Sequence, residues 1–279
     1  MIDFLPDELR FRLQKRPEDA HKNDFGHLVI VAGSRGMAGA AVLAANGAMR
    51  SGAGLVTVVC PESVLTIVQT LAPCAMALPL PEWDGAISSD AVPVLLDFLK
   101  GKSAIAVGCG LSRRASPEVL EALLKTDLPA VLDADALNIM AANPRLLTLL
   151  RPRHVMTPHP GEAGRLLRRD VTTSEADARA LAGLGCVALL KGAATIVCGR
   201  ETHRIACGTV GLAKGGSGDV LTGVLGSLLA QGYEPEEAAV LAAAIHGLAG
   251  RIAAERVGTV GMLPTDTVNC LPEVFRRCV

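Results

Sequence analysis

The stretch LAKGGSGDVLTGVLGSLL, Leu212 to Leu229, sets one acid among small residues at the start of an apolar run. A helix N-terminus leaves N–H groups unpaired and carries the positive end of the dipole, so this turn suits an anion. Gly216, Ser217 and Gly218 would keep the approach open and form an anion hole. Asp219 has two readings. It caps the helix, or it is a general base for a hydroxyl that meets a phosphoryl group. Four small neighbours are more than a cap requires, which favours the base.

Other turns carry chemistry of the same kind. LKGAATIVCG places Lys191 and Gly192 together, either as a solvated turn or as a phosphate contact. TPHPGE holds His159 between two prolines, whose fixed φ stiffens the loop. His159 could hydrogen-bond a substrate, and Glu162 could start a helix or hold a magnesium-bound water. VLDADALN offers Asp133 and Asp135 for metal-water or substrate contacts, with helix capping an equal explanation. His246, inside AAAIHGLAG, reads as a packed histidine. GSRGMAGA spaces its glycines as Gly33, Gly36 and Gly39. That is neither the dinucleotide fingerprint, which also lacks its acid, nor a Walker loop.

Composition narrows the classes. The chain has 279 residues, 50% hydrophobic but only 3% aromatic, so Ala, Val, Leu and Gly must build a closely packed core. A formal net charge of -1 gives no bulk attraction to nucleic acid or an acidic membrane. The eight cysteines include no C-x-x-C pair and sit mostly in apolar runs, as small hydrophobes do in a reducing compartment. The start is charged and lacks a signal-peptide core. A soluble cytoplasmic protein, with no nucleic-acid or membrane partner, is the expectation.

The elements that position these turns follow from periodicity. Short apolar runs at 27–33, 55–61, 103–110, 129–132 and 153–156 read as buried strands. Helical patterns follow them, including 116–126 with Pro near its start. Runs at 186–192, 194–199 and 203–208 are too close for helices between them and predict a hairpin or meander. The end carries three helices, beginning near Ser217, Pro235 and Pro264. LPDELR predicts a short helix followed by a tether. The sum is an α/β fold, a three-layer α/β/α sandwich on a mostly parallel central sheet. Ligands of such sheets bind beyond the carboxyl ends of the strands, where all these turns lie.

In order, KNDFGHLVIVAGS, GAAVLAA, RSGAGLVTV, GCGLS, VLDADALN, TPHPGE, LLKGAATIV, GGSGDVLTG and AAAIHGLAG run from about Lys22 to Glu273. Their order and spacing resemble the ADP/ATP-dependent NAD(P)H-hydrate dehydratases, members of the ribokinase-like superfamily. The resemblance implies one ribokinase-like domain over 1–279, with 1–24 as an N-terminal extension. It implies a lyase that repairs the S-epimer of NADH hydrate or NADPH hydrate, with ADP (or ATP) as co-substrate and Mg2+ present. Asp219 would be the base. Ala41, Gly110, His159 and Asp219 would meet the hydrated dinucleotide. Lys191, Gly192, Ala193, Ala194, Thr195 and Gly218 would bind the nucleotide. Asn138 and Glu162 would lie near phosphates and magnesium, Glu162 acting through water. The chain reads GTVGLAKGGSGD where many members have Asn-Pro, so Thr209, Val210 and Lys214 leave the choice of ADP or ATP open. The length leaves no room for an epimerase domain, so a separate NAD(P)H-hydrate epimerase is expected as partner. A homo-oligomer is expected too, the Ala-rich helices packing on a second copy. The rival readings are a vitamin-precursor kinase of the same superfamily and a non-catalytic nucleotide sensor.

Overall fold

The computed structural model describes residues 1–278. Strands are β1 (Ile2–Asp3), β2 (His27–Val31), β3 (Leu55–Pro61), β4 (Met76–Leu80), β5 (Glu82–Trp83), β6 (Ala86–Ile87), β7 (Ala104–Val107), β8 (Ala130–Leu132), β9 (His154–Met156), β10 (Val187–Leu190), β11 (Thr195–Cys198) and β12 (Thr202–Ile205). Helices are α1 (Leu9–Arg12), α2 (Ala38–Arg50), α3 (Leu65–Leu71), α4 (Ala91–Phe98), α5 (Pro117–Leu124), α6 (Ala134–Ala142), α7 (Pro160–Leu167), α8 (Glu175–Ala182), α9 (Ser217–Ala230), α10 (Pro235–Val257) and α11 (Pro264–Cys278).

Ten strands form one sheet in the order β1-β12-β11-β10-β9-β8-β7-β2-β3-β4. Within it only β11 runs against its neighbours, so β10, β11 and β12 are the meander the spacing predicts. Strand side chains alternate between two apolar layers. Leu28 and Ile30 face one with Ala104 and Ala106; Val29 and Val31 face the other with Ile105 and Val107. Helices α2, α9, α10 and α11 cover the first face, and α4 to α8 cover the second. This is the expected α/β/α sandwich.

The low aromatic content has a packing consequence. Helices α2 and α9 touch through glycines: a Cβ at Gly223 would overlap the Ala44 carbonyl, and one at Gly47 would lie 2.8 Å from Val220 O. Helix α10 is long and apolar enough to cross a membrane by length and composition, but 78% of its apolar window is buried inside this fold. Its AAVLAAAIHGLAG surface packs within the chain, which removes the reason for placing a second copy there. The first residues pack on the sheet. Ile2 and Asp3 pair in parallel with β12, and Phe4, Leu9 and Leu13 are buried in the core.

Candidate functional site

The carboxyl ends of β7, β8, β9 and β10 meet the N-terminus of α9. Helix α9 has Gly216 as its N-cap residue, at φ 98°, and no side chain caps it. A Cβ there would lie 2.8 Å from Leu43 and 2.9 Å from Pro264, so glycine is required for space as well as for φ. Among the described residues the N–H groups of Gly218 and Asp219 have no acceptor, whereas Ser217 N–H reaches Lys214 O. Two donors at the positive end of a helix thus remain available to an anion. Asp219 is not spent on capping.

Asp219 is partly buried in the first turn of this helix. Burial, reinforced by the neighbouring Asp133 carboxylate, raises its pKa to about 7; a Cys109 hydrogen bond and Lys191 oppose the rise. A carboxyl poised there exchanges protons near neutral pH. The ligand atoms of Cys109, Asp133 and Asp219 all lie within 4.8 Å of one another. Burial, together with Asp219 and Asp133, holds the Cys109 thiol well above its ordinary pKa, so it stays protonated.

Asp133 does not cap α6 either. Its Oδ1 accepts from Lys191 Nζ at 2.8 Å, and its Oδ2 accepts from Thr222 Oγ1 at 2.8 Å. Lys191 also stands 3.9 Å from Glu162 Oε2. A Cβ added at Gly218 would lie 3.3 Å from Lys191 Nζ, so the ammonium faces the mouth of the anion hole. Asp135 accepts from Ser112 N–H at 2.9 Å and from Asn138 Nδ2 at 3.3 Å, tying α6 to the GCGLS loop. Between the two acids Ala134 takes φ 48°, and Ser112 takes φ 72°. Left-handed backbone at non-glycine residues is strained by roughly 1 kcal/mol or more, and two of the four such residues, Ser112 and Ala134, border the site.

His159 is the N-cap of α7. Its Nδ1 accepts from Gly161 N–H at 3.0 Å and from Glu162 N–H at 3.4 Å, which leaves the ring proton on Nε2. Glu162 returns the contact by accepting His159 N–H at 2.9 Å, a capping box. Gly110 takes φ 58°, and its Cβ would lie 2.6 Å from Met37 O, so this loop crosses the start of α2 at backbone contact. Ala41 lies one turn into α2, fully buried beneath Gly33, and shapes the floor rather than the surface. Gly192, Ala193, Ala194 and Thr195 form the turn from β10 into β11, exposed at its first two residues. Lys214 is bonded elsewhere: its Nζ donates to Val260 O and Met262 O at 2.8 and 2.6 Å. His246 lies under the site, its pKa lowered to about 4 by burial and by Lys191, with Nε2 lacking a partner.

The structure thus joins Asp219, Lys191, Glu162, His159 and the glycine turn at one end of the sheet. Cys109 and Thr222 were not expected there. Cys109 reads in sequence as one more buried thiol; Thr222, three residues after Asp219 on the same helix face, carried the one available signal.

The model of the NAD(P)H-hydrate dehydratase family matches residues 28–273. The chain belongs to the NAD(P)H-hydrate dehydratase family. It is 40% identical over 278 residues to a bifunctional NAD(P)H-hydrate repair enzyme of Moorella thermoacetica, covering 96% of this chain and 52% of that protein. It is also 40% identical to an ADP-dependent (S)-NAD(P)H-hydrate dehydratase of Neisseria meningitidis, over 91% of this chain and 87% of that one. The chain spans about half the length of the first three curated relatives it matches. In structure it resembles the ADP/ATP-dependent NAD(P)H-hydrate dehydratase of Bacillus subtilis co-crystallized with ATP/Mg2+, with TM-score 0.83, 28% identity and coverage of 100% and 99%. The fold is ribokinase-like.

Proposed function

We propose that this chain is a lyase that dehydrates the S-epimer of NADH hydrate or NADPH hydrate back to NADH or NADPH, converting ADP to AMP and phosphate. The observation that carries this reading is Asp219, uncapped and poised near neutral pH beside two unpaired helix N–H groups. A sensor has no use for such a base. The family match, and the names of two relatives, favour the hydrate over the alcohol of a vitamin-precursor kinase.

The arrangement supports the following steps. Asp219 takes the proton of the ring hydroxyl as that oxygen attacks the terminal phosphoryl group of the nucleotide. The bridging P–O bond breaks and AMP departs when ADP is the donor. The ring C–O bond then breaks, with its electron pair leaving on phosphate. A proton lost from the adjacent ring carbon supplies the pair for the restored double bond. Hydrate and ADP therefore become reduced cofactor, AMP, phosphate and a proton. The N–H groups of Gly218 and Asp219 and the Lys191 ammonium stabilise the phosphoryl oxygens through this sequence.

The donor set tests magnesium directly. Asp133 and Glu162 converge on Lys191, and Glu162 is tied into the cap of α7. No bare carboxylate chelate results, which fits a nucleotide-borne magnesium reached by Glu162 through water. Such an ion would supply charge neutralisation on the phosphates.

An NAD(P)H-hydrate epimerase is the inferred functional partner, consistent with relatives named as bifunctional repair enzymes. A cytoplasmic location accords with eight unpaired cysteines, six of them buried. The test mixes the protein with NADH hydrate, magnesium and ADP, ATP or no nucleotide, and follows the return of dihydronicotinamide absorbance. A nucleotide-dependent rise is expected. No rise with either nucleotide, from folded protein that binds ADP, would shift the reading to a kinase with another acceptor.

A further inference from the structure

The opposite end of the sheet carries a second constellation. Because β11 is antiparallel, its turn into β12 lies at the end away from Lys191. There His203 of β12, Glu201 of the turn and Glu236 in the first turn of α10 bring one nitrogen and two carboxylates within 4.8 Å of one another. His203 Nε2 lies 3.5 Å from Glu236 Oε1 and 3.6 Å from Glu201 Oε2. The His203 side chain is only 9% exposed, yet its ring makes no hydrogen bond among the described residues.

We propose that Glu201, His203 and Glu236 form a binding site for a divalent transition-metal cation, with zinc the best fit. Zinc bonds of about 2.0–2.2 Å in a tetrahedron separate their ligand atoms by roughly 3.3–3.6 Å. The two nitrogen–oxygen separations fall in that range, and they are long for direct hydrogen bonds. Imidazole nitrogen and carboxylate oxygen are both donors zinc accepts, and a water can complete four. The carboxylate of Glu236 is already oriented: it accepts from Arg200 N–H at 2.8 Å and Glu201 N–H at 2.9 Å. Such outer hydrogen bonds fix a ligating carboxylate. Gly199 makes the approach possible, since a Cβ there would lie 2.6 Å from Glu236 Oε2. The opposing charge is Arg200, 3.7 Å from Glu236 and 86% exposed, whose side chain can turn into water. The bound cation would pin the β11–β12 turn to α10, away from the chemistry at Asp219.

The test uses the full chain, stripped with chelator, with Cys74→Ser as background because that thiol is exposed. Zinc alone is titrated by equilibrium dialysis, and thermal unfolding is read in parallel. One equivalent is expected to bind and to raise the Tm. His203→Gln and the exposed Glu201→Gln should each weaken binding by at least about 10-fold and abolish the Tm rise. Cofactor-repair turnover of the metal-free Glu201→Gln protein should equal that of its parent. Absence of stoichiometric binding, or equal binding by the parent and both variants, would overturn the site and leave an ion pair of His203 with its two carboxylates.

Discussion

Lys191 Nζ lies 2.8 Å from Asp133 Oδ1 and so ties the end of β10 to the end of β8. Thr222 of α9 takes the other oxygen of the same carboxylate. One buried acid therefore fixes the ammonium and helix α9 relative to each other. The proposed base, Asp219, sits on the helix so fixed, and part of its raised pKa comes from the same Asp133.

Thr222→Val keeps shape and removes that donor. A buried charged acceptor left short of a bond costs about 1.5–3 kcal/mol. The expected results are a lower midpoint in urea at unchanged slope and a lower turnover. An unchanged midpoint would show that Asp133 does not depend on Thr222.

Asp219→Asn should retain nucleotide affinity within a few fold and lose at least about 100-fold in turnover, the scale of a missing general base. Titration with ADP and the absorbance assay separate the two. Equal turnover of variant and parent would remove the base role.

The same substitution has a signature in stability. In the unfolded chain Asp219 ionises near its ordinary pKa; in the native protein it stays protonated up to about 7. The native state thus binds more protons between those values, and its stability falls as pH rises through them. Asn carries no charge at any pH. Asp219→Asn should therefore melt above the parent at pH 8, by up to a few kcal/mol, with the difference closing towards pH 4. Melting curves that keep a constant separation across this range would contradict the buried, raised carboxyl.

His159→Ala removes both an N-cap and a group facing the site. Loss of a cap costs about 1 kcal/mol. His159→Asn can cap again and should recover the stability. Both variants should bind the hydrate more weakly while holding ADP almost normally; calorimetric titration of each ligand reads this. A larger loss for ADP would place His159 on the nucleotide instead.

Much of this arrangement is legible in the chain, and the failures have physical causes. The strands before Gly33, Gly108, Asp133, Thr157 and Lys191 announce themselves as apolar runs, and the sandwich follows from their alternation with helices. Strand β1 does not: two residues show no period, and only pairing with β12 makes them a strand. Residues 62–102, with α3, β4, the β5–β6 hairpin and α4, offer no motif that reveals their elements. At Asp133 a local rule suggested a cap, but a lysine 58 residues away took the carboxylate instead. His159 went the other way, since the loop that looked built for substrate also caps its own helix. Cys109 is buried as expected, but burial alone says nothing of the acid beside it.

The pairing of β1 also bears on how the protein is made. Ile2 meets His203, and Phe4 N–H meets Arg204 O. During synthesis Ile2 to Phe4 leave the ribosome long before their partners in β12 exist. The segment around Phe4 and Leu9 must wait, apolar side chains uncovered, until the β11–β12 hairpin has emerged. Docking of β1 is then a late step of co-translational folding, and the edge it closes is exposed to misassociation in the interval.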